Sequence, residues 1–460
     1  MSIAARKADE LARKLAGVER EFAFWRELSA EAREGEPPRP LEKHHRQVRR
    51  VTSQLKGFQA QVRARLGAPG KDEAALLADC RGVERDILEL HRVWHFFRSK
   101  LAPRALKPFQ DFLRPADELA WACYEPAQRR LAPGRVLPEH VKEPPLVFLN
   151  GGSSPFTSPR DWAYEPERVP NEAVRADAVI ALIKRLPIPV IGVPWFQAEH
   201  LPEALVIAHE VGHDVAWDFR LNPRLAALLG RATDPLPCDR RDAWSAWLGE
   251  VFADVYGCLA AGPAFAGALI DFLATGQAAI AGDRRTPGDW GRHPPAALRV
   301  LLVLEVLRQR QFGDEAARLG AEWRAAYPRH AMTEFEPDLK TVAGALLGGP
   351  YPELGGEGLP AVLCFSRDDH EAAGAGAELL LQGLPPATDD ARVLFAAVRT
   401  AYERDPGAYG AVDVRGLVAG ALAGKTGVRA EAAEAPDPDD EAAGAELYRQ
   451  WRADGLAPAG

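Results

Sequence analysis

Cysteine is scarce and never paired. Cys80, Cys123, Cys238, Cys258 and Cys364 are scattered singly along 460 residues, with no CxxC spacing. That scatter argues against a disulfide framework and fits reduced thiols in a cytoplasm. Long apolar runs are missing too: none reaches the roughly 18 residues a membrane span needs. The N-terminal MSIAARKADELARKL is charged and helical in pattern, without the apolar core of a signal peptide. The formal charge of −8 is mild for this length and argues against bulk attraction to nucleic acid. There is no internal repeat. Together these absences give the expectation of a cytoplasmic protein with no membrane attachment.

What is present is an ordinary globular composition, 47% hydrophobic and 27% charged, punctuated by 38 prolines and 40 glycines. The length suggests about three domains. Residues 1–105 read as a helical arm or bundle. Leu11, Leu15, Val18, Phe22 and Trp25 step by four and three, as do Val48, Val51, Leu55, Phe58 and Val62, and then Leu76, Cys80, Val83, Ile87, Leu90, Trp94 and Phe97. This alternation marks coiled-coil-like packing, and the short breaks Gly35–Pro40 and Gly67–Gly70 predict antiparallel neighbours. The middle helix is basic, with Lys43, Arg46, Arg49, Arg50, Lys56, Arg63 and Arg65 against Glu42 alone. Such a face can meet nucleic acid or an acidic partner, but a solvated face, or one docked on acidic parts of the same chain, is the plainer reading.

Residues 106–330 change texture. The β-rich runs Leu146–Leu149 and Pro187–Val193 flank a Gly/Ser/Pro loop, Asn150–Trp162, and the pattern from Val193 to about Tyr327 is helical. Residues 331–460 mix short elements with an acidic Ala/Pro segment, 429–444, expected to be disordered. The fold class expected is α+β, mostly helical with a small sheet.

The chemistry concentrates in VIAHEVGHDVAWD, Val206–Asp218. Histidines four apart on a helix are stacked neighbours, so His209 and His213 can reach one point with Glu210 beside them. Zinc favours imidazole nitrogen and accepts carboxylate oxygen, and HExxH supplies two ligands and a general base in one turn. Gly212 costs about 1 kcal/mol relative to alanine in mid-helix, so it predicts close packing that a side chain would obstruct. A third ligand is offered 37 residues after His213: Glu250 and Asp254 form another i, i+4 pair among Trp247, Leu248, Val251, Phe252 and Val255. One carboxylate completes a His₂Glu set; the other can accept the spare N–H of a ligating imidazole.

HEVGHDVAWD, EVFAD and HPPAALR (His293–Arg299) together resemble gluzincin metallopeptidases, and are most similar to the family of CAAX prenyl proteases and heat-shock membrane proteases. The resemblance covers His209 to Arg299. It departs from that family in lacking membrane spans, in the short gap between HExxH and the third ligand, and in carrying the helical arm. It implies a zincin-type catalytic domain with one Zn²⁺ per chain on His209, His213 and Glu250, and Glu210 as the base that deprotonates an activated water. It further implies Asp254 as orienter of a ligating imidazole, Asp218 as a helix-end support, and His293 and Arg299 as stabilisers of the oxyanion, with Tyr256 a weaker candidate. An alternative for Arg299 is simple pairing with an acid such as Asp218. The strand Val190, Ile191, Gly192 and Val193 sits where zincins place the edge strand that pairs with an extended peptide substrate. His200 reads as incidental.

The expected function is a soluble zinc metallopeptidase, an endopeptidase acting on a protein or peptide, with the arm recruiting a protein partner or gating the cleft. The alternative is an interaction or regulatory protein on a zincin fold, nucleic-acid-responsive through the basic helix and with restrained or absent protease activity. Retention of Glu210 argues for the enzyme.

Overall fold

The computed structural model describes residues 2–30, 39, 41–66, 72–130, 145–158, 189–423 and 438–454. The fold is mostly helical with one small sheet, and the chain divides into two compact units.

The first unit comprises residues 1–110, 160–188 and 426–460. Its described helices are α1 (Ile3–Ser29), α2 (His45–Leu66), α3 (Glu73–Leu101) and a C-terminal helix, Pro438–Asp454. The starts of α1 and α3 follow from side-chain caps: Ser2 Oγ accepts from the Ala5 amide at 3.2 Å and Asp72 Oδ1 from that of Ala75 at 2.7 Å. Every seam residue anticipated from the periodicity is buried except Leu76, which is half-buried. Phe22 meets Trp94 edge-on at 5.3 Å, and the Trp94 indole donates to Glu21 at 2.9 Å.

The C-terminal helix lies against α2 so tightly that a Cβ on Gly57 would collide with the Glu441 carbonyl, and one on Gly444 with that of Gln54. Phe58 and Tyr448 meet edge-on at 5.0 Å beside this crossing. Of the acidic segment 429–444 expected to be disordered, residues 438–444 are therefore helical, a correction with a physical reason: packing against α2 orders what composition alone would leave loose. Residues 429–437 lie outside the described residues. The basic α2 finds acids within its own unit, with Arg63 3.0 Å from Glu19, Arg65 2.7 Å from Asp79 and 2.8 Å from Asp86, and Arg50 3.7 Å from Asp440.

The second unit comprises residues 111–159 and 189–425. Most of α4 (Lys107–Arg129) belongs to it. Its sheet has three strands, β1 (Leu146–Asn150), β2 (Phe156–Ser158) and β3 (Val190–Pro194), in the order β1-β3-β2. β3 runs parallel to β1, with Leu146 opposite Val190, and antiparallel to β2, with Phe156 opposite Gly192. Val190 to Gly192 are thus paired on both sides, and Val193 is paired with Leu149. The expectation that Val190, Ile191, Gly192 and Val193 form the free edge is overturned. The continuous apolar run is the texture of an internal strand covered on both faces. β2 itself lies inside the stretch expected to be loop, whose residues 159–162 are outside the described residues.

Beyond the sheet, α5 (Ile207–Asp218) packs on α6 (Leu248–Leu273), and α7 (Ala296–Gln309) packs on α6 in turn. α6 breaks at Gly262, whose φ of 54° only glycine adopts readily, immediately before Pro263. By length and hydropathy α6 is the one described helix able to cross a membrane, yet 83% of its apolar stretch is buried in the protein. Its apolar residues are those of a core helix.

Candidate metal centre

The site is built by the approach of α5 to α6. A Cβ on Gly212 would sit 3.0 Å from Ala253 Cα and 3.1 Å from Tyr256 Cβ, so glycine is what allows the two backbones to come this close. With the helices in that contact, the i, i+4 pair of α5 faces the i, i+4 pair of α6. His209 Nε2 is 3.2 Å from His213 Nε2 and 3.3 Å from Glu250 Oε2, and His213 Nε2 is 3.4 Å from Glu250 Oε1. One ligand atom from each of His209, His213 and Glu250 falls within 4.8 Å of the others, a group able to hold a metal ion.

Behind it lies a buried chain of charge. His209 Nδ1 is 2.8 Å from Asp254 Oδ1, so with Asp254 ionised Nδ1 carries a proton, while Nε2 faces the group, where a bound metal would take the place of its own proton. Arg299, on α7, donates from Nε to Asp254 Oδ2 and from Nη2 to Asp254 Oδ1, both at 2.8 Å. Its Nη2 is also 3.7 Å from Glu250 Oε2. Burial opposes the charge on His209, but the hydrogen bonds to Asp254 and Glu250 outweigh it and hold the imidazole pKa at about 9. Burial likewise opposes ionisation of Glu250 and Asp254. The imidazoles keep Glu250, and Arg299 keeps Asp254, below the usual carboxylate range. Glu210 is buried, and that burial pushes its carboxyl above the usual carboxylate range.

The other expected site residues are distributed as follows. Arg299 pairs with an acid, but the acid is Asp254 and not Asp218, and its fork is engaged there; it positions Asp254 and does not stand ready for an oxyanion. Asp218 accepts from the Tyr124 hydroxyl at 2.5 Å, tying the end of α5 to α4. Tyr256 is fully buried and donates to the Cys123 carbonyl at 2.7 Å, which removes it from oxyanion stabilisation. His200 lies edge-on to Tyr402 at 4.6 Å and outside the metal group. His293 touches one member of the group, its Nε2 3.3 Å from Glu250 Oε1, without being one of the three grouped donors.

Sequence reasoning passed over Asp214 and Thr157. Asp214 is fully buried, and its Oδ1 accepts from Thr157 Oγ1 at 2.9 Å, joining β2 to the turn that carries His213. A carboxylate in so apolar a helix was the available signal.

No protein-family model, no curated protein and no solved structure matches this chain.

Proposed function

We propose that the chain is a soluble, cytoplasmic zinc-dependent endopeptidase of gluzincin type. The observation that carries this reading is the convergence of His209, His213 and Glu250 in front of a His209 imidazole oriented by Asp254. The residues fit the ion. Ligand atoms about 2.0–2.1 Å from a tetrahedral zinc stand roughly 3.3–3.4 Å from one another. Here the two imidazole Nε2 atoms stand 3.2 Å apart, and Glu250 turns Oε2 to His209 at 3.3 Å and Oε1 to His213 at 3.4 Å. Two imidazoles and one carboxylate form a donor set that catalytic zinc sites use.

Bound there, zinc would supply Lewis acidity that polarises a peptide carbonyl and makes water acidic near neutral pH. Glu210 takes the proton of the attacking water on its carboxylate and returns it to the leaving amine. Asp254, clamped by Arg299, keeps the His209 proton on Nδ1 throughout. β2, a sheet edge among the described residues and bonded through Thr157 to the metal helix, takes over the role of substrate strand from β3.

Metal analysis together with a proteome-derived peptide digest tests the reading. One zinc per chain, lost in Glu250→Ala, and internal cleavages that a chelator abolishes and added zinc restores are expected. Equal, near-zero zinc in both proteins would overturn it.

A further inference from the structure

Helix α6 carries Gly249, Gly257, Gly262 and Gly267, and the last three have a local reason. A Cβ on Gly257 would run into the Phe265 ring, and one on Gly267 would stand 2.7 Å from Glu403 Oε1. Gly262 takes the positive φ of 54° at the kink. Gly249 has neither reason. A Cβ there would meet, among the described residues, only His213 Cε1, and that at 4.0 Å. The residue is exposed, in the first turn of α6 and immediately before Glu250. Glycine in a helix is less stable than alanine because it loses more backbone freedom on folding. Position 249 therefore gives up stability that packing does not demand.

What the glycine leaves is room on the accessible side of the metal group. His213 Cε1 is bonded to Nε2, the atom 3.4 Å from Glu250 Oε1. The His213 side chain is also the more exposed of the two imidazoles, 22% against 6% for His209. A helical side chain leans toward the N-terminus of its helix, so one at 249 would reach back over Ser245 and Ala246, both exposed. On α5, half-buried Trp217 follows His213 by one turn on the same face. None of Ser245, Ala246, Gly249 and Trp217 carries a charge.

We propose that Gly249 determines specificity: the space beside His213 receives a large apolar side chain of the substrate, from a residue next to the scissile bond. The inference rests on the endopeptidase reading above and gives that site its substrate class. Consecutive Cα atoms are about 3.8 Å apart, so a peptide with its scissile carbonyl at the metal holds both flanking side chains close to it. Burying an apolar side chain there removes its surface from water, whereas a charged one would find no opposite charge at those four positions.

The test uses the zinc-loaded full chain and two peptidyl hydroxamates that differ only in the side chain next to the zinc-binding group, isobutyl against methyl. The unsubstituted chain should bind the isobutyl compound at least about tenfold more tightly, read by calorimetry. Gly249→Leu fills the space. It should keep one zinc per chain and bind the methyl compound about as tightly as the unsubstituted chain does, while the preference for isobutyl disappears. Gly249→Ala should unfold at a higher temperature, since the fold gains nothing from the glycine. An unchanged preference in Gly249→Leu, or no preference in the unsubstituted chain, overturns the inference and leaves the metal reading standing. So does a lower unfolding temperature in Gly249→Ala, or loss of zinc from Gly249→Leu alone, because the position would then serve the fold or the metal. Zinc held with neither hydroxamate bound overturns the endopeptidase reading as well, and an unsubstituted chain that holds no zinc overturns everything built on the metal.

Discussion

At the scale of single residues, the two acids beside the His209, His213 and Glu250 group should separate cleanly. In the proposed mechanism Glu210 takes the proton of the attacking water, so Glu210→Gln should retain metal and fold while hydrolysis falls by about 10²–10⁴, the usual worth of a general base. Single-turnover cleavage of a peptide identified by proteome digestion, alongside metal content, checks this. Asp254 acts through His209. In Asp254→Asn the side chain still accepts from Nδ1, but it no longer carries the charge that holds Arg299 and fixes the tautomer. Metal affinity should fall about 10–100-fold, measured by competition with a chelator, and the buried Arg299 left without its ion should cost roughly 3–5 kcal/mol in unfolding experiments. That His209, His213 and Glu250 come together was legible in the sequence because i, i+4 spacing is a local property of a helix. The partnership of Asp254 with Arg299 was not, since nothing periodic links positions 45 residues apart. The sequence offered Asp218 as an equally good acid.

At the scale of elements, helix α3 carries a charge where its seam is apolar. Lys100 is buried, its ammonium 3.2 Å from the centre of the Phe96 ring and donating to the Phe96 carbonyl at 3.0 Å. Burial holds its pKa well below the ordinary lysine value. Between the folded and unfolded pKa values the unfolded chain binds the extra proton, so this residue's contribution to stability rises with pH up to the lysine range near 10.4. Lys100→Met should therefore stabilise the first unit at neutral pH by about 1–3 kcal/mol, the scale of a buried polar group's desolvation. The advantage should shrink as pH is raised, read from the difference between paired thermal melts. A constant difference across pH would mean that the gain is packing alone. The seams of α1 to α3 were legible since 3–4 periodicity reports the buried stripe directly. β3 misled because an apolar strand reads the same at a sheet edge and in its centre; the short β2 that covers it hides in a Ser/Pro-rich loop. The C-terminal helix was hidden by its Ala/Asp/Glu composition, and only the crossing at Gly57 and Gly444 explains its order.

At the scale of the molecule, the chain closes one unit with both of its ends and places the metal group wholly in the other. His209, His213, Glu250, Asp254 and Arg299 all fall within residues 189–425, as do β3 and helices α5 to α7. The first unit is completed by Leu447 and Tyr448 of the C-terminal helix, which are buried there. Removing residues 1–110 alone would strand that helix with its apolar face uncovered, so an insoluble product of that truncation says nothing about the metal. The informative protein is residues 111–425, which drops both ends together and keeps the intervening residues 160–188. It should remain soluble and bind one metal ion per chain, with Glu250→Ala abolishing uptake as in the full chain, all read by elemental analysis. Burial in the second unit supports this outcome: Val211 and Val215 of α5, Val251, Phe252 and Val255 of α6, and Val300 and Val303 of α7 are fully covered. A soluble 111–425 protein that holds no metal, beside a full-length chain that does, would show that the helical unit helps to build the centre, and the arm would then belong to the catalytic machinery.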